Sequence, residues 1–351
     1  MENLVRPEIR NLNGYHVENA PSKIVLDANE NPFSLPDGVM EEALSSLSRV
    51  RINRYPDTNA KRLRDLIARQ DGVSPERIVL GNGSDEIIHM ILAVFCEKGQ
   101  RVMYPVPTFS MYRIITLAWG GVPSECRMDG QWDIDLPLFM EALERDRPAV
   151  VFLATPNNPT GNCLSRDKIL AILNGFGGIV VIDEAYFHFA GETFVNILND
   201  FPNAIILRSL SKVGMAGLRL GYCIASEKII DYLNRVRLPY NINAFSQAAG
   251  EAILKNWDIL NDQIEALKLE REKMLSSMKQ MTGLTPFPSK SNFILFSLEK
   301  ERGAPEKFFQ CLLAKGIRIR DLSKAPFLDR CFRVTIGTRE ENEAFLAAIG
   351  N

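Results

Sequence analysis

The fold of this chain is decided by the stretch Ser209-Leu-Ser-Lys-Val-Gly-Met-Ala-Gly-Leu-Arg-Leu-Gly-Tyr222. It follows the apolar run Ala204–Leu207, which is short enough to be a buried strand, and leads into a second such run, Leu220–Ala225. Lys212 therefore lies in a loop after a strand, flanked by hydroxyl groups and followed by Arg219. Because burial disfavours the charged form of an amine, a lysine held there suits a Schiff base with an aldehyde. The alternative is a surface lysine in a strand–loop–strand connection.

Composition excludes several classes of protein. The 351 residues are enough for one large domain and a smaller one, and the net charge of −2 offers no basic field for nucleic acid or an anionic membrane surface. No apolar segment approaches the roughly 20 residues that span a bilayer, and the N-terminus lacks the apolar core of a signal peptide. Six cysteines and three histidines lack metal-ligand or redox spacing. We expect a cytoplasmic protein without a metal centre, nucleic-acid partner or membrane partner.

Chemically apt residues follow the ends of successive predicted strands. Further short apolar runs, separated by helical patterns, are Arg77–Leu80, Arg101–Tyr104, Ala149–Leu153 and Gly178–Ile182. This alternation predicts an α/β fold with a mostly parallel sheet between layers of helices. Ligands bind such sheets outside the carboxyl ends of the strands. The positions just after those ends are Gly81–Asp85, Phe109, Asn158, Asp183, Tyr186 and Ser209–Lys212.

Two of these positions have simpler interpretations. The glycine-rich turn Gly81–Asp85 precedes a helical pattern, so its backbone N–H groups suit a phosphate. Ser84 or Asp85 could instead only cap the helix. Phe109 is either a core residue or the stacking partner of a flat ligand.

We expect three parts along the chain. Residues 1–50 are rich in turn formers and predict an N-terminal arm that joins the small domain and a partner subunit, with Tyr15 available to a neighbouring cleft. Residues 51–256 form the large domain, and residues 257–351 alternate strands and helices as a smaller α+β domain. Arg320 and Arg333 each lie at a predicted strand end. They are either surface charges or bidentate donors to a carboxylate or phosphate.

Seven stretches occur in an order that carries a family resemblance. They are Asp27-Ala-Asn-Glu-Asn-Pro32, Asn53-Arg-Tyr-Pro-Asp57, Gly81-Asn-Gly-Ser-Asp-Glu86, Asn157-Asn-Pro-Thr-Gly161, Asp183-Glu-Ala-Tyr186, Ser209-Leu-Ser-Lys212 and Arg333-Val-Thr-Ile-Gly-Thr-Arg-Glu-Glu341. From about residue 10 to residue 338 the chain resembles the pyridoxal-phosphate enzymes of the aspartate-aminotransferase fold, or fold type I. Within the class II group it looks most like the histidinol-phosphate aminotransferases. The resemblance implies transamination of L-histidinol phosphate with 2-oxoglutarate, giving imidazole acetol phosphate and glutamate, in histidine biosynthesis.

The resemblance also implies roles around the cofactor ring. Lys212 would hold pyridoxal 5'-phosphate covalently and move the substrate proton, and Asp183 would keep the pyridine nitrogen protonated. Asn158 and Tyr186 would hydrogen-bond the ring oxygen O3′, with Tyr186 counted among the catalytic residues. Phe109 would stack on the ring.

Further roles concern the phosphate and the substrate. The residues expected around the cofactor phosphate are Ser84, Asp85, Ser209, Ser211, Arg219 and Tyr55. Tyr55 would come from the partner subunit, so a homodimer is part of the prediction. Arg333 would grip the acidic group of each substrate, with Asn158 nearby, whereas Arg320 and Tyr15 would help to bind the phosphate of histidinol phosphate.

Three alternatives share this fold. An aromatic-amino-acid aminotransferase needs an apolar pocket and no phosphate site, so the pair Arg320 and Arg333 argues against it. A phosphothreonine decarboxylase shares the need for a phosphate site but loses the substrate carboxylate. A non-catalytic regulator that binds pyridoxal phosphate would carry an added DNA-binding domain, and this chain is neither basic nor long enough to include one.

Overall fold

The computed structural model describes residues 2–10, 12, 14 and 21–350, so Tyr15 lies outside the described residues. The strands are β1 (Ile24–Leu26), β2 (Ile78–Asn82), β3 (Arg101–Val106), β4 (Val122–Arg127), β5 (Val150–Ala154), β6 (Ile179–Asp183), β7 (Ala204–Ser209), β8 (Leu220–Ile224), β9 (Leu284–Pro286), β10 (Phe293–Leu298), β11 (Ile317–Asp321) and β12 (Cys331–Thr335). The helices are α1 (Pro7–Arg10), α2 (Asp37–Ser48), α3 (Lys61–Asp71), α4 (Ser84–Phe95), α5 (Met111–Trp119), α6 (Leu136–Asp146), α7 (Arg166–Gly175), α8 (Phe187–Ala190), α9 (Glu227–Val236), α10 (Ala244–Lys255), α11 (Trp257–Lys279), α12 (Pro305–Ala314) and α13 (Arg339–Gly350).

Seven strands form the central sheet, in the order β2-β8-β7-β6-β5-β3-β4. Neighbours pair in parallel except around β8, which is antiparallel to both β2 and β7. The predicted mostly parallel sheet is confirmed. Because β8 runs against the other strands, Arg219, which precedes it, lies at the edge where the others end.

Strand β4 did not emerge from the sequence analysis. It is an edge strand in which exposed and buried residues alternate, and it contains Pro123. A proline, which lacks a backbone N–H, is tolerated in an edge strand because one side of that strand has no neighbouring strand to hydrogen-bond. Without a continuous apolar run, the segment gave no signal of a buried parallel strand.

Apolar cores cover both faces of this sheet. Within β5, Val150 and Phe152 pack with α4 and α5, whereas Val151 and Leu153 join the larger core that includes α3, α6 and α7. Successive residues of a strand point to opposite faces, so a strand buried on both faces needs a continuous apolar run. That requirement explains why β5, β6 and β7 were readable from sequence.

A second sheet has the order β1-β11-β12-β10-β9, with only β1 and β11 parallel to each other. Strand β1 comes from the predicted N-terminal arm, which therefore contributes a strand to this sheet. Three residues are too few for a sequence signal, and β1 obtains its partners from Ile317–Ile319, far along the chain. The proposed boundaries after residues 50 and 256 stay a prediction.

Candidate active site

A cavity of about 270 Å³ opens at the edge where the parallel strands end. It is lined by every residue predicted for the site except Tyr15 and Tyr55: Ser84, Asp85, Phe109, Asn158, Asp183, Tyr186, Ser209, Ser211, Lys212, Arg219, Arg320 and Arg333. The lining also includes Asp27, Asn29 and Tyr112, which had no predicted role. Strands that end at one edge bring together residues that are far apart in sequence.

Lys212 lies in a short 3-10 turn, Ser211–Val213, directly after β7. Leu210 and Val213 are buried on either side of it and anchor the turn. The Lys212 Nζ donates to the carbonyl oxygen of Ala28 at 3.4 Å and lies 5.9 Å from the centre of the Tyr186 ring. Lys212 therefore lines the cavity and is not a surface lysine of a plain connection.

Asp183 is the last residue of β6 and is buried. Its Oδ2 accepts a hydrogen bond from the hydroxyl of Tyr112 at 2.6 Å, and its Oδ1 accepts one from the backbone N–H of Ala185 at 3.0 Å. Burial raises the pKa of Asp183 to about 6, and these two hydrogen bonds limit the rise because they stabilise the carboxylate.

Tyr112, the hydrogen-bond donor to Asp183, was not predicted as a site residue from the sequence. It lies on α5 and is buried, with its ring stacked on Phe152 at 4.7 Å between centroids, so an apolar helix pattern predicts it only as core. Burial raises the pKa of its hydroxyl well above the ordinary value, so the hydroxyl keeps its proton as a donor. Which acceptor a buried tyrosine reaches depends on the packing of α5 against β6.

The segment around Asn29 ties the cavity to the second sheet. The Asn29 side-chain amide donates to the hydroxyl of Tyr186 at 2.9 Å, and its backbone N–H donates to Thr335 Oγ1 of β12 at 3.0 Å. The side chain of Asn292 donates to the Asn29 carbonyl at 3.0 Å. Asn29 has a φ of 55°, a left-handed conformation that asparagine tolerates better than most residues. The quoted Asp27–Pro32 motif was the available signal for this residue.

The N-terminus of α4 forms a cradle with two residues from the Lys212 loop. The Arg219 guanidinium donates to Ser211 Oγ at 3.3 Å and lies 3.5 Å from Asp85 Oδ2. Gly83 is the N-cap residue, and no side chain caps the helix, so the interpretation of Ser84 or Asp85 as a simple cap is wrong. The first backbone N–H groups of α4 therefore remain available to an anion.

Two glycines keep this cradle open. Gly83 has a φ of 84°, and a Cβ there would stand 2.6 Å from the Arg219 guanidinium. A Cβ on Gly221 would stand 2.4 Å from the backbone nitrogen of Ser84. Only residues without a side chain allow this approach of strand, helix and arginine. The backbone N–H groups of α4 and the Arg219 guanidinium give the cradle the donors and positive charge that suit a phosphate group.

Arg320 and Arg333 face each other on β11 and β12. Arg333 donates to Asn158 Oδ1 at 2.5 Å and to the carbonyl oxygen of Asp27 at 2.6 Å. The expectation that Arg333 lies at a strand end is wrong, since it is the third residue of β12, inside the sheet. Like charges directly opposite each other on paired strands repel, so an anion in the cavity would favour this arrangement.

Tyr55 does not line the cavity of its own chain. Its side chain is 80% exposed and its ring stacks on Tyr240 at 4.4 Å between centroids. Ile52, three residues before Tyr55, and Leu238, two residues before Tyr240, are also exposed, at 80% and 68%. The described part of the chain thus leaves large apolar side chains uncovered around Tyr55.

Residues 21–349 match the family model for aminotransferase class I and II. The chain belongs to this family. It is 41% identical over 344 residues to a histidinol-phosphate aminotransferase of Thermoanaerobacter pseudethanolicus (98% of this chain, 97% of that protein). It is 39% identical over 350 residues to one of Caldanaerobacter subterraneus (99% of this chain, 98% of that protein). The solved histidinol-phosphate aminotransferase from Sinorhizobium meliloti, in complex with pyridoxal-5'-phosphate, has a TM-score of 0.89 at 25% identity and covers 99% of this chain and 96% of its own.

These comparisons confirm the resemblance predicted from the seven stretches and the fold class predicted with it. The chain is an aminotransferase. Over the described ranges, no helix is both long and apolar enough to cross a membrane. Among the same residues, no three histidine, cysteine, aspartate or glutamate side chains lie together as metal ligands would.

Proposed function

We propose that this aminotransferase uses pyridoxal phosphate to exchange amino groups between L-histidinol phosphate and 2-oxoglutarate, as a step in histidine biosynthesis. One observation carries the proposal: a single cavity is lined by a lysine, a buried carboxylate, an anion cradle and two arginines that face each other on paired strands. The relatives named above, 39 to 41% identical over nearly their whole length, support the same substrate.

The cavity residues fit the cofactor part by part. Its phosphate would bind the N-terminus of α4, together with Ser209, Ser211 and Arg219. The cavity, about 270 Å³ in volume, leaves space for the ring against Phe109. When bound, pyridoxal phosphate supplies an electron sink for the negative charge left on the substrate Cα.

Asp183 would act on the pyridine nitrogen. A carboxylate beside this nitrogen favours its protonated form, and the protonated nitrogen in turn favours the carboxylate. The raised pKa of about 6 leaves Asp183 mostly ionised at neutral pH even before such pairing. Asn158 and Tyr186, held by Arg333 and Asn29, would hydrogen-bond the ring oxygen.

Lys212 would bind the cofactor covalently and then carry the proton. Its Nζ is held inside the cavity by the Ala28 carbonyl, within reach of the space between Asp183 and the arginines. Once displaced by an amino substrate, the free amine would take the proton from the substrate Cα as a general base.

Arg333 and Arg320 would bind the acidic part of each substrate. A phosphate ester in one half-reaction and a carboxylate in the other can both accept two hydrogen bonds from a guanidinium. Asn158 orients Arg333 toward this position. The substrate contact predicted for Tyr15 remains a prediction on a residue outside the described ranges.

We also propose that the enzyme is a cytoplasmic homodimer in which Tyr55 reaches the cofactor phosphate of the partner subunit. The exposed Tyr55, Ile52 and Leu238 support an interface on this face, because large uncovered apolar side chains favour association. All six cysteines are free thiols, as in a reducing compartment.

The test is the visible absorption of the purified protein loaded with pyridoxal phosphate, before and after each of three compounds: L-histidinol phosphate, phenylalanine and phosphothreonine. We expect histidinol phosphate to convert the bound cofactor to its amino form at the lowest concentration and 2-oxoglutarate to reverse the change. Conversion by phenylalanine alone would move the assignment to an aromatic aminotransferase, and carbon dioxide release from phosphothreonine would move it to a decarboxylase. Lys212→Ala should abolish turnover, whereas Lys279→Ala, on the exposed end of α11, should not.

A further inference from the structure

Arg208 lies beneath the cavity, on the opposite face of the central sheet from Asp183 and Ser209. It precedes Ser209 in β7, and Glu184 follows Asp183 at the end of β6, where the Glu184 N–H donates to the Leu207 carbonyl at 2.7 Å. Successive strand residues point to opposite faces, so Arg208 and Glu184 share the far face. Arg208 is 2% exposed and Glu184 is fully buried.

The guanidinium of Arg208 joins two carboxylates and a ring. It donates to Glu184 Oε2 at 2.8 and 3.0 Å and to Asp71 Oδ1 at 2.7 Å. Its plane lies over the Phe187 ring, 3.6 Å from the ring centre. It also donates to the hydroxyl of Thr193 at 2.6 Å, and that hydroxyl donates to Glu184. All three guanidinium nitrogens of Arg208 thus donate hydrogen bonds inside the protein.

Two of these contacting residues, and Arg208 itself, lie close in sequence to residues of the cavity. Glu184 follows Asp183, Phe187 follows Tyr186, and Arg208 itself stands four residues before Lys212. Arg208 therefore links the ends of β6 and β7 and the turn after Asp183 into one rigid unit. None of the seven stretches that carry the family resemblance includes Arg208.

Neither local structure nor stability accounts well for these charges. Asp71 is the last residue of α3, where a negative charge opposes the helix dipole, so its carboxylate is favoured there by Arg208 and by a hydrogen bond from Tyr222. Buried ion pairs contribute little net stability, since removing charges from water costs about as much as their attraction returns. This buried cluster of charges adds little to stability and lies beside Asp183, Tyr186 and Lys212. A role in positioning those three residues explains it better.

We propose that Arg208 is a positioning residue, which sets the relative placement of Asp183, Tyr186 and Lys212 by binding the residues next to them on the far face of the sheet. Arg208 does not itself line the cavity. The inference rests on the roles proposed above for Lys212 and Asp183.

The test compares Arg208→Lys and Arg208→Met with the control Arg77→Met. Arg77 precedes β2 at the opposite edge of the same sheet and donates to Ala225 O, Asn199 Oδ1 and Leu198 O at 2.8 to 3.3 Å. It is therefore a multiply bonded arginine of the same sheet, remote from the cavity. The measurements are kcat and KM for L-histidinol phosphate, the visible band of the bound cofactor, and the midpoint of unfolding in urea.

We expect Arg208→Lys to lower kcat about 10- to 100-fold, as small displacements of catalytic groups do, with KM nearly unchanged and the cofactor band altered. Arg77→Met should lower only the unfolding midpoint. If Arg208→Met does not fold, Glu184→Gln takes its place, because it keeps the shape and removes one charge. Wild-type kcat and band in Arg208→Lys, or an equal loss of kcat in Arg77→Met, would overturn the proposal. Failure of the wild type to turn over histidinol phosphate would instead refute the proposed function.

Discussion

Replacing Tyr112 by phenylalanine removes one hydroxyl and little else. The ring stacks on Phe152, a contact that phenylalanine keeps, whereas the 2.6 Å hydrogen bond to Asp183 is lost. A hydrogen bond to a charged group contributes roughly 1.5–3 kcal/mol, so its loss should raise the pKa of Asp183 by about one to two units. From about 6 in the wild type, the pKa would then reach the neutral range.

The sign of the effect on activity follows from this shift. Asp183 is ionised above its pKa, and the proposed pairing with the pyridine nitrogen needs the carboxylate. We expect Tyr112→Phe to lose activity at neutral pH and to recover part of it as the pH rises through the new pKa. A pKa of about 7 to 8 leaves between about half and about a tenth of Asp183 ionised at pH 7, so kcat there should fall by up to about 10-fold, and by less where the bound pyridinium stabilises the carboxylate.

The assay is kcat against pH for the loaded enzyme, together with NMR titration of labelled aspartate in the cofactor-free protein. Tyr104→Phe is the matched control, because Tyr104 is a buried tyrosine close by whose hydroxyl donates to Glu125 at 3.3 Å, away from Asp183. A Tyr112→Phe variant with the wild-type pH profile and an unmoved Asp183 titration would refute the reasoning.

Three further predictions concern the cradle, the arginines and the subunit contact. Gly83→Ala should weaken pyridoxal phosphate binding by at least about tenfold in equilibrium dialysis, because its Cβ would stand 2.6 Å from Arg219; unchanged affinity would contradict the cradle. Arg333→Lys should raise KM for L-histidinol phosphate about 10-fold or more by loss of bidentate binding; an unchanged KM would show that Arg333 does not bind the acidic group of the substrate. Mixing inactive Lys212→Ala with Tyr55→Ala protein, and allowing subunits to exchange, should restore activity, since hybrid dimers hold one site with both native residues. Absence of any recovery after verified exchange would remove Tyr55 from the partner's site.

Much of the site could be predicted because each of its residues is marked by a local sequence signal. The ends of β2, β5, β6 and β7 are marked by apolar runs that stop at polar residues, and parallel strands bring such ends to one edge. Lys212 and Asp183 could therefore be assigned to one cavity. The same logic failed for Arg333, which lies inside a strand of the second sheet and enters the cavity from its face.

The sequence by itself determined the α/β class, the strand ends and the family, since each depends on short runs of neighbouring residues. Only the tertiary structure decided that β8 turns back to bring Arg219 to the cavity, that Tyr112 holds Asp183, and that Arg208 binds Asp71 across 137 positions of the chain. These contacts join residues on different elements, and their partners are selected by how helices and sheets pack. No local pattern of polarity encodes that choice, because a buried tyrosine or arginine looks the same in sequence whichever acceptor it reaches.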